Sequence, residues 1–128
     1  GIWVVKSKIG IHGKYWPRWQ YLHNHGSKAH HESIAELLGQ IRPDLSVIDA
    51  LSAMEGDGPT HGPSVEMNLA IASNDPVSID SIACKLMGIA PHSINYLHLA
   101  HERGYGTIDN IQVVGENSWQ SFKKSFKR

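Results

Sequence analysis

Apolar positions along the chain follow two periods, and the places where one gives way to the other mark its elements. Ile2–Ile9 is β-branched and aromatic, which predicts a strand. From His12 to His31 the pattern breaks up into glycine, proline, aromatic and histidine residues, including YWPRWQY and HNHG, and predicts a long loop or a pair of short turns. Ile34, Leu37, Leu38 and Ile41 then repeat at i, i+3, i+4, i+7, the stripe of an amphipathic helix, with Ser27 as a candidate cap and Pro43 as the stop.

Leu45–Leu51 is a compact apolar run holding Asp49 near its end, and Val65–Ala72 is a second; both predict strands. Asn74 or Asp75 precedes Pro76, the combination that opens a helix, and Ile79, Ile82, Ala83 and Leu86 give it an inner face ending at Gly88. A further helix is predicted over Ser93–Arg103, closed by Gly104, then a short strand at Ile111–Val114 and a basic amphipathic helix at Trp119–Phe126. Strands alternating with helices predict an α/β fold, a layered sheet with helices packed on it. The 128 residues suit one α/β domain, residues 1–128. Because the chain opens directly in a strand-like run, that domain is expected to be the C-terminal part of a larger one, although Gly1 fits a tag remnant equally well.

Charge changes the picture more than composition does. The formal net charge is zero, yet the acids and bases are segregated. Gly1–His31 holds Lys6, Lys8, Lys14, Arg18 and Lys28 without an acid, whereas Pro43–Cys84 holds Asp44, Asp49, Glu55, Asp57, Glu66, Asp75 and Asp80 without a lysine or arginine. Such blocks either neutralise one another in the fold or attract a cation at the centre and an anion at the start. A sequence pI near 7.3 argues against nucleic acid. Cys84 is the only cysteine, so neither an intrachain disulfide nor a cysteine-held iron–sulfur cluster is expected within this chain, and a reducing, cytoplasmic compartment is the simplest setting. No apolar run reaches membrane-spanning length, and no membrane partner is expected.

The segment MEGDGPTHG, residues 54–62, raises the functional question. It is either a polar glycine-rich turn or a loop that lets a ligand approach its backbone. With Asp49 before it and Asp80 after it, Glu55, Asp57 and His61 form a candidate divalent-metal set, in which Asp49 or Glu55 would hold the ion and His61 would act as acid or base. The alternative is a solvated turn. Asp80 lies on the helix face of Ala83, Cys84 and Met87, where a buried carboxylate would need a partner, and Cys84 reads as a small core residue rather than a nucleophile. Lys8, His12, Lys14, His30 and His31 form a second candidate set, suited to a carboxylate or phosphate. His98 and His101, three apart on a predicted helix, could chelate a metal or flank a core face.

The combination PDLSVIDALSAMEGDGPTHG with MNLAIASNDPVSIDSIACKLMG resembles the prokaryotic family called domain of unknown function 362. Its pattern is matched by Pro43–Asp44–Leu45, Asp49, Met54–Glu55–Gly56, Gly58–Pro59, Gly62, Asp75–Pro76–Val77, Asp80 and Leu86–Met87–Gly88, then by Gly104, Gly106 and Val114–Gly115, so the resemblance covers roughly residues 43–116. Upstream, Ser7–Lys8 to His12–Gly13 is similar to the family's lysine-rich stretch ending in threonine–histidine, with Gly10 and Ile11 replacing the second lysine and the threonine. The resemblance implies Lys8, His12, Gly56, Gly58 and Gly62 as ligand-binding positions and a ferredoxin-type iron–sulfur module as a partner. The expected function is therefore a ligand- or metal-binding domain of a redox-associated protein. A metal-dependent hydrolase using the same carboxylates and a non-catalytic interaction module are the competing readings.

Overall fold

The computed structural model describes residues 26–58 and 60–127. The predicted strand Ile2–Ile9, Lys8 and His12 lie outside them. Within them, α1 (Gly26–Gln40), β1 (Ser46–Met54), β2 (Ser64–Ser73), α2 (Pro76–Leu86) and α3 (Asn95–Glu102) follow in order, with 3₁₀ turns at Pro91–Ser93 and Trp119–Phe122. Three helices on a two-stranded sheet make a small α/β fold.

α1 begins at Gly26, so Ser27 sits inside its first turn rather than capping it. Its stripe buries Ala35 and Leu38, and the amide of Ile41 closes the last turn on the Leu37 carbonyl at 2.9 Å. β1 and β2 pair antiparallel, from Ser46 opposite Ser73 to Met54 opposite Ser64. Residues 54–62 therefore lie in a hairpin connection. The rule that places ligands at the carboxyl ends of parallel strands has no purchase there. The register slips between Ala50 and Ser52, where Met67 and Asn68 of β2 share the place of one β1 residue. Asn68 takes φ 54°, the left-handed conformation of a bulge.

α2 occupies the centre. One side packs with α1 and α3 around Leu38, Val77, Cys84, Leu97, Ala100 and Ile108. The other packs Ile82 and Leu86 on Met67, with Ala50, Leu69 and Ile71 of the sheet beside them. Asp75 caps α2: its Oδ1 accepts from the amides of Val77 (2.8 Å) and Ser78 (3.2 Å), while Oδ2 accepts from the Thr107 amide at 2.9 Å. One carboxylate thus closes a helix and pins the 104–110 loop to it. A Cβ at Gly106 would collide with Asp75 Oδ1 and Val77, which explains glycine there.

Two predicted elements are absent. Ile111–Val114 pairs with no strand among the described residues; Ile111 and Val113 instead pack beside the sheet. The predicted helix Trp119–Phe126 shortens to the 3₁₀ turn, and the chain beyond it is extended. Helix α2 leaves carbonyls without intrahelical partners at its C-terminal end. The tail supplies donors, from Lys124 N to Leu86 O (2.8 Å) and from Phe126 N to Met87 O (3.1 Å), while Trp119, Phe122 and Phe126 cover the second core. Tertiary pairing overrides the helical spacing of those aromatics.

Candidate functional site

The hairpin loop is built by short-range geometry. Glu55 N donates to Pro63 O at 3.1 Å, Gly58 N to Gly56 O at 2.7 Å and His61 N to Asp57 O at 3.2 Å. Gly56 has φ +72°, and a Cβ on Gly62 would run into the Glu55 carbonyl and the Met54 side chain. Gly58 has open space around it, so the loop itself requires only two of these three glycines. The C-terminal tail fastens the loop from outside: Lys127 N donates to Glu55 Oε2 at 2.8 Å, and Gly56 N donates to Lys127 O at 3.0 Å. Asp57 and His61 are exposed, and His61 Nδ1 lies 2.8 Å from Thr60 Oγ1.

The structure does not gather the five candidate metal ligands at one point. Asp49 projects from the outer sheet face, exposed, with Oδ1 accepting from Leu51 N at 3.0 Å. Asp80 lies on α2, which packs against the inner face. Among the described residues, no group of three or more His, Cys, Asp or Glu side chains could hold a metal ion.

A different cluster forms in the helical layer. Burial pushes the Asp80 carboxyl above its usual range. Cys84, one turn along the same face, is pushed up to about 11 by burial and then by the neighbouring Asp80 charge. Tyr96 of α3 is raised by burial, with Asp80 and Cys84 adding to it. His31 of α1 stacks on the Tyr96 ring, centroids 5.8 Å apart and planes 20° from parallel. Its Nδ1 is buried and has no hydrogen-bond partner among the described residues. His31 also lines a cleft of about 240 Å³ between α1 and α3, with Lys28, Glu32, Asn95, His98 and Leu99.

Asp80, Cys84 and Tyr96 are thus electrostatic neighbours, and His31, stacked on Tyr96, lines a cleft open to solvent. Perturbed acids beside a cleft are the physical mark of a candidate site. Lys28, His31, His98 and Asn95 can each donate at the cleft, and Glu32 contributes a carboxylate. The spacing of Asp80 and Cys84 is visible in the sequence. Tyr96 is not, because its part depends on how α3 packs against α2.

Comparison with known proteins places these features in a family context. The pattern that defines the family described as Domain of unknown function (DUF362) matches residues 4–85, well over half of the chain. It reaches further upstream than the expected 43–116, taking in Lys8 and His12, and stops within α2. Thylakoid-associated protein sll1697 of Synechocystis sp. is 32% identical over 91 residues, which is 70% of this chain and 28% of that protein. The chain thus spans little more than a quarter of that relative's length. No solved structure matches.

Proposed function

The chain belongs to the family designated domain of unknown function 362, and we propose that it is a ligand-binding α/β domain of a redox-associated, iron–sulfur-linked protein, taking a small anionic molecule in the cleft between α1 and α3. The observation that carries this reading is His31: a buried Nδ1 without a partner among the described residues, on a residue that lines the cleft and stacks on Tyr96. An unmatched buried polar atom costs about 1–3 kcal/mol, and a ligand oxygen would satisfy it. Lys28, Asn95 and His98 supply further donors. Leu99 offers an apolar wall.

The redox setting follows from the iron–sulfur association that the family resemblance implies. With a single cysteine in the chain, the cluster belongs to a partner module. A reducing, cytoplasmic compartment remains our reading of that cysteine content. No helix among the described residues is long and apolar enough to cross a membrane.

A thermal-shift panel of small carboxylates and phosphates tests the reading. At a concentration of 100 times Kd, a true ligand stabilises the folded state by about 2.7 kcal/mol. At least one class is expected to raise Tm in the parent protein but not in His31→Ala. Equal shifts in both proteins, or none in either, would overturn it.

A second reading, an interaction module, is favoured by the outer face of the sheet. Leu45, Val47 and Leu51 are 61%, 58% and 59% exposed there. Asp49 lies between Val47 and Leu51 on the same face, so the surface would dock a partner through exposed apolar side chains around a carboxylate.

A further inference from the structure

The outer face of the sheet has a chemistry that one stretch of this chain complements. Val47, Asp49 and Leu51 of β1 and Ala70 and Ala72 of β2 lie on that face, all of them exposed. The register sets Val47 opposite Ala72 and Asp49 opposite Ala70, so the carboxylate stands in an apolar surface with small side chains beside it. Asp49 Oδ1 accepts from Leu51 N at 3.0 Å, which orients it, and Asp49 forms no ion pair among the described residues. Its own neighbourhood in sequence offers no cation, because Pro43–Cys84 contains neither lysine nor arginine.

The sequence YWPRWQY, residues 15–21, lies outside the described residues and inverts this pattern in composition. One cation, Arg18, stands between Trp16 and Trp19, with Tyr15 and Tyr21 at the ends and no acid. Tryptophan, tyrosine and arginine are the residues that dominate well-packed docking contacts, and a guanidinium meets a carboxylate in a planar, two-point geometry. Ile2–Ile9 is also basic, but it sets Lys6 and Lys8 toward one end and has Trp3 as its one aromatic residue, a poorer match to a lone carboxylate among aliphatic side chains. Connectivity permits the contact: the ten residues from Trp16 to the start of α1 at Gly26 reach up to roughly 33 Å, against a radius of gyration of about 13 Å for a domain of about 100 residues. The family pattern runs through residues 4–85 and so holds both stretches in one unit.

We propose that YWPRWQY docks on the outer sheet face of its own chain, with Arg18 on Asp49 and the two tryptophans on Val47 and Leu51. Aromatic rings around the ion pair exclude water and make it worth more than an exposed one. The surface that favours the interaction-module reading is then filled from within the chain, and a foreign partner reaches it only by displacing this segment. None of Lys28, His31, Asn95 or His98 takes part, so the contact stands or falls independently of the cleft.

Chymotrypsin digestion of the full chain tests it. The Trp19–Gln20 bond is cut only when the segment leaves the sheet, so its cleavage rate reads the undocked fraction. Asp49→Lys and Arg18→Glu are each expected to raise that rate about 10-fold or more, and the combined variant, with the charges exchanged, to return it to within about 2-fold of the parent. Cleavage at Tyr96–Leu97 in α3, where Leu97 is buried, reports global unfolding and should stay at the parent's rate in all three variants. Equal rates at Trp19–Gln20 in the parent and Asp49→Lys, or no recovery in the combined variant, would overturn the proposal. So would protection that disappears on dilution, which would put a second copy of the chain on the face.

Discussion

Asp75 shows how much a single side chain does in this domain. Its two oxygens accept from Val77 N, Ser78 N, Ser78 Oγ and Thr107 N, so Asp75→Ala strips the α2 cap and releases the 104–110 loop together. A lost cap costs about 1 kcal/mol and an unsatisfied buried amide a further ~1–3, so a drop of about 2 kcal/mol or more is expected in urea unfolding. Asp80 makes a prediction of opposite character. Its folded pKa is raised by burial, so the folded state holds the proton more tightly than the unfolded chain. Its contribution to stability is therefore most favourable below the ordinary carboxylate range and declines as pH rises through the raised value. Asp80→Asn should flatten that part of the stability–pH profile, measured by denaturant midpoints across acidic to neutral pH. Cys84, buried and with its thiol pushed up to about 11, should react far more slowly with a thiol reagent at neutral pH than the unfolded chain does. Labelling of the native protein at the unfolded rate would contradict this burial.

At the scale of elements, much was legible because local chemistry and tertiary packing agree. The Ile34–Leu37–Leu38–Ile41 stripe, the Asp75–Pro76 helix start and the Gly88 and Gly104 stops all appear where their residue types predict, with both glycines at positive φ. The antiparallel hairpin was not legible, since an apolar run marks a strand without showing its partner, and one face of this strand, with Val47 and Leu51, is exposed. The tail was misread for a related reason. Trp119, Phe122 and Phe126 have helical spacing, but the open carbonyls of Leu86 and Met87 capture the backbone that would have formed the helix. This strap should matter to stability. Phe126→Ala is expected to cost about 2 kcal/mol, less than the ~3–5 of a fully buried phenylalanine, because the ring is half-buried. Removing residues 123–128 should also loosen the hairpin loop, seen as faster amide exchange at Gly56, whose N–H donates to Lys127 O.

For the molecule as a whole, the question raised by MEGDGPTHG acquires a physical answer in part. Gly56 and Gly62 serve the conformation of the hairpin, and Glu55 serves its clasp to the tail, while Asp57 and His61 remain exposed to solvent. Gly62→Ala should accordingly destabilise the loop whatever the domain binds, because its Cβ meets the Glu55 carbonyl. The candidate cleft was only half visible beforehand. His31 and Asp80 could be singled out from their residue types and positions, but what relates them is Tyr96 of α3, which stacks on His31 and feels the Asp80 charge.

The central claim is that ligands enter beside His31 rather than at the hairpin tip. Titrating ¹⁵N-labelled protein with succinate and, separately, inorganic phosphate, each followed by amide ¹H–¹⁵N spectra, tests it most directly. The account predicts saturable shifts for at least one of the two, centred on Lys28, His31, Asn95 and His98 and abolished by His31→Ala. Shifts centred instead on Glu55–Gly62, or no saturable shift with either probe, would contradict it.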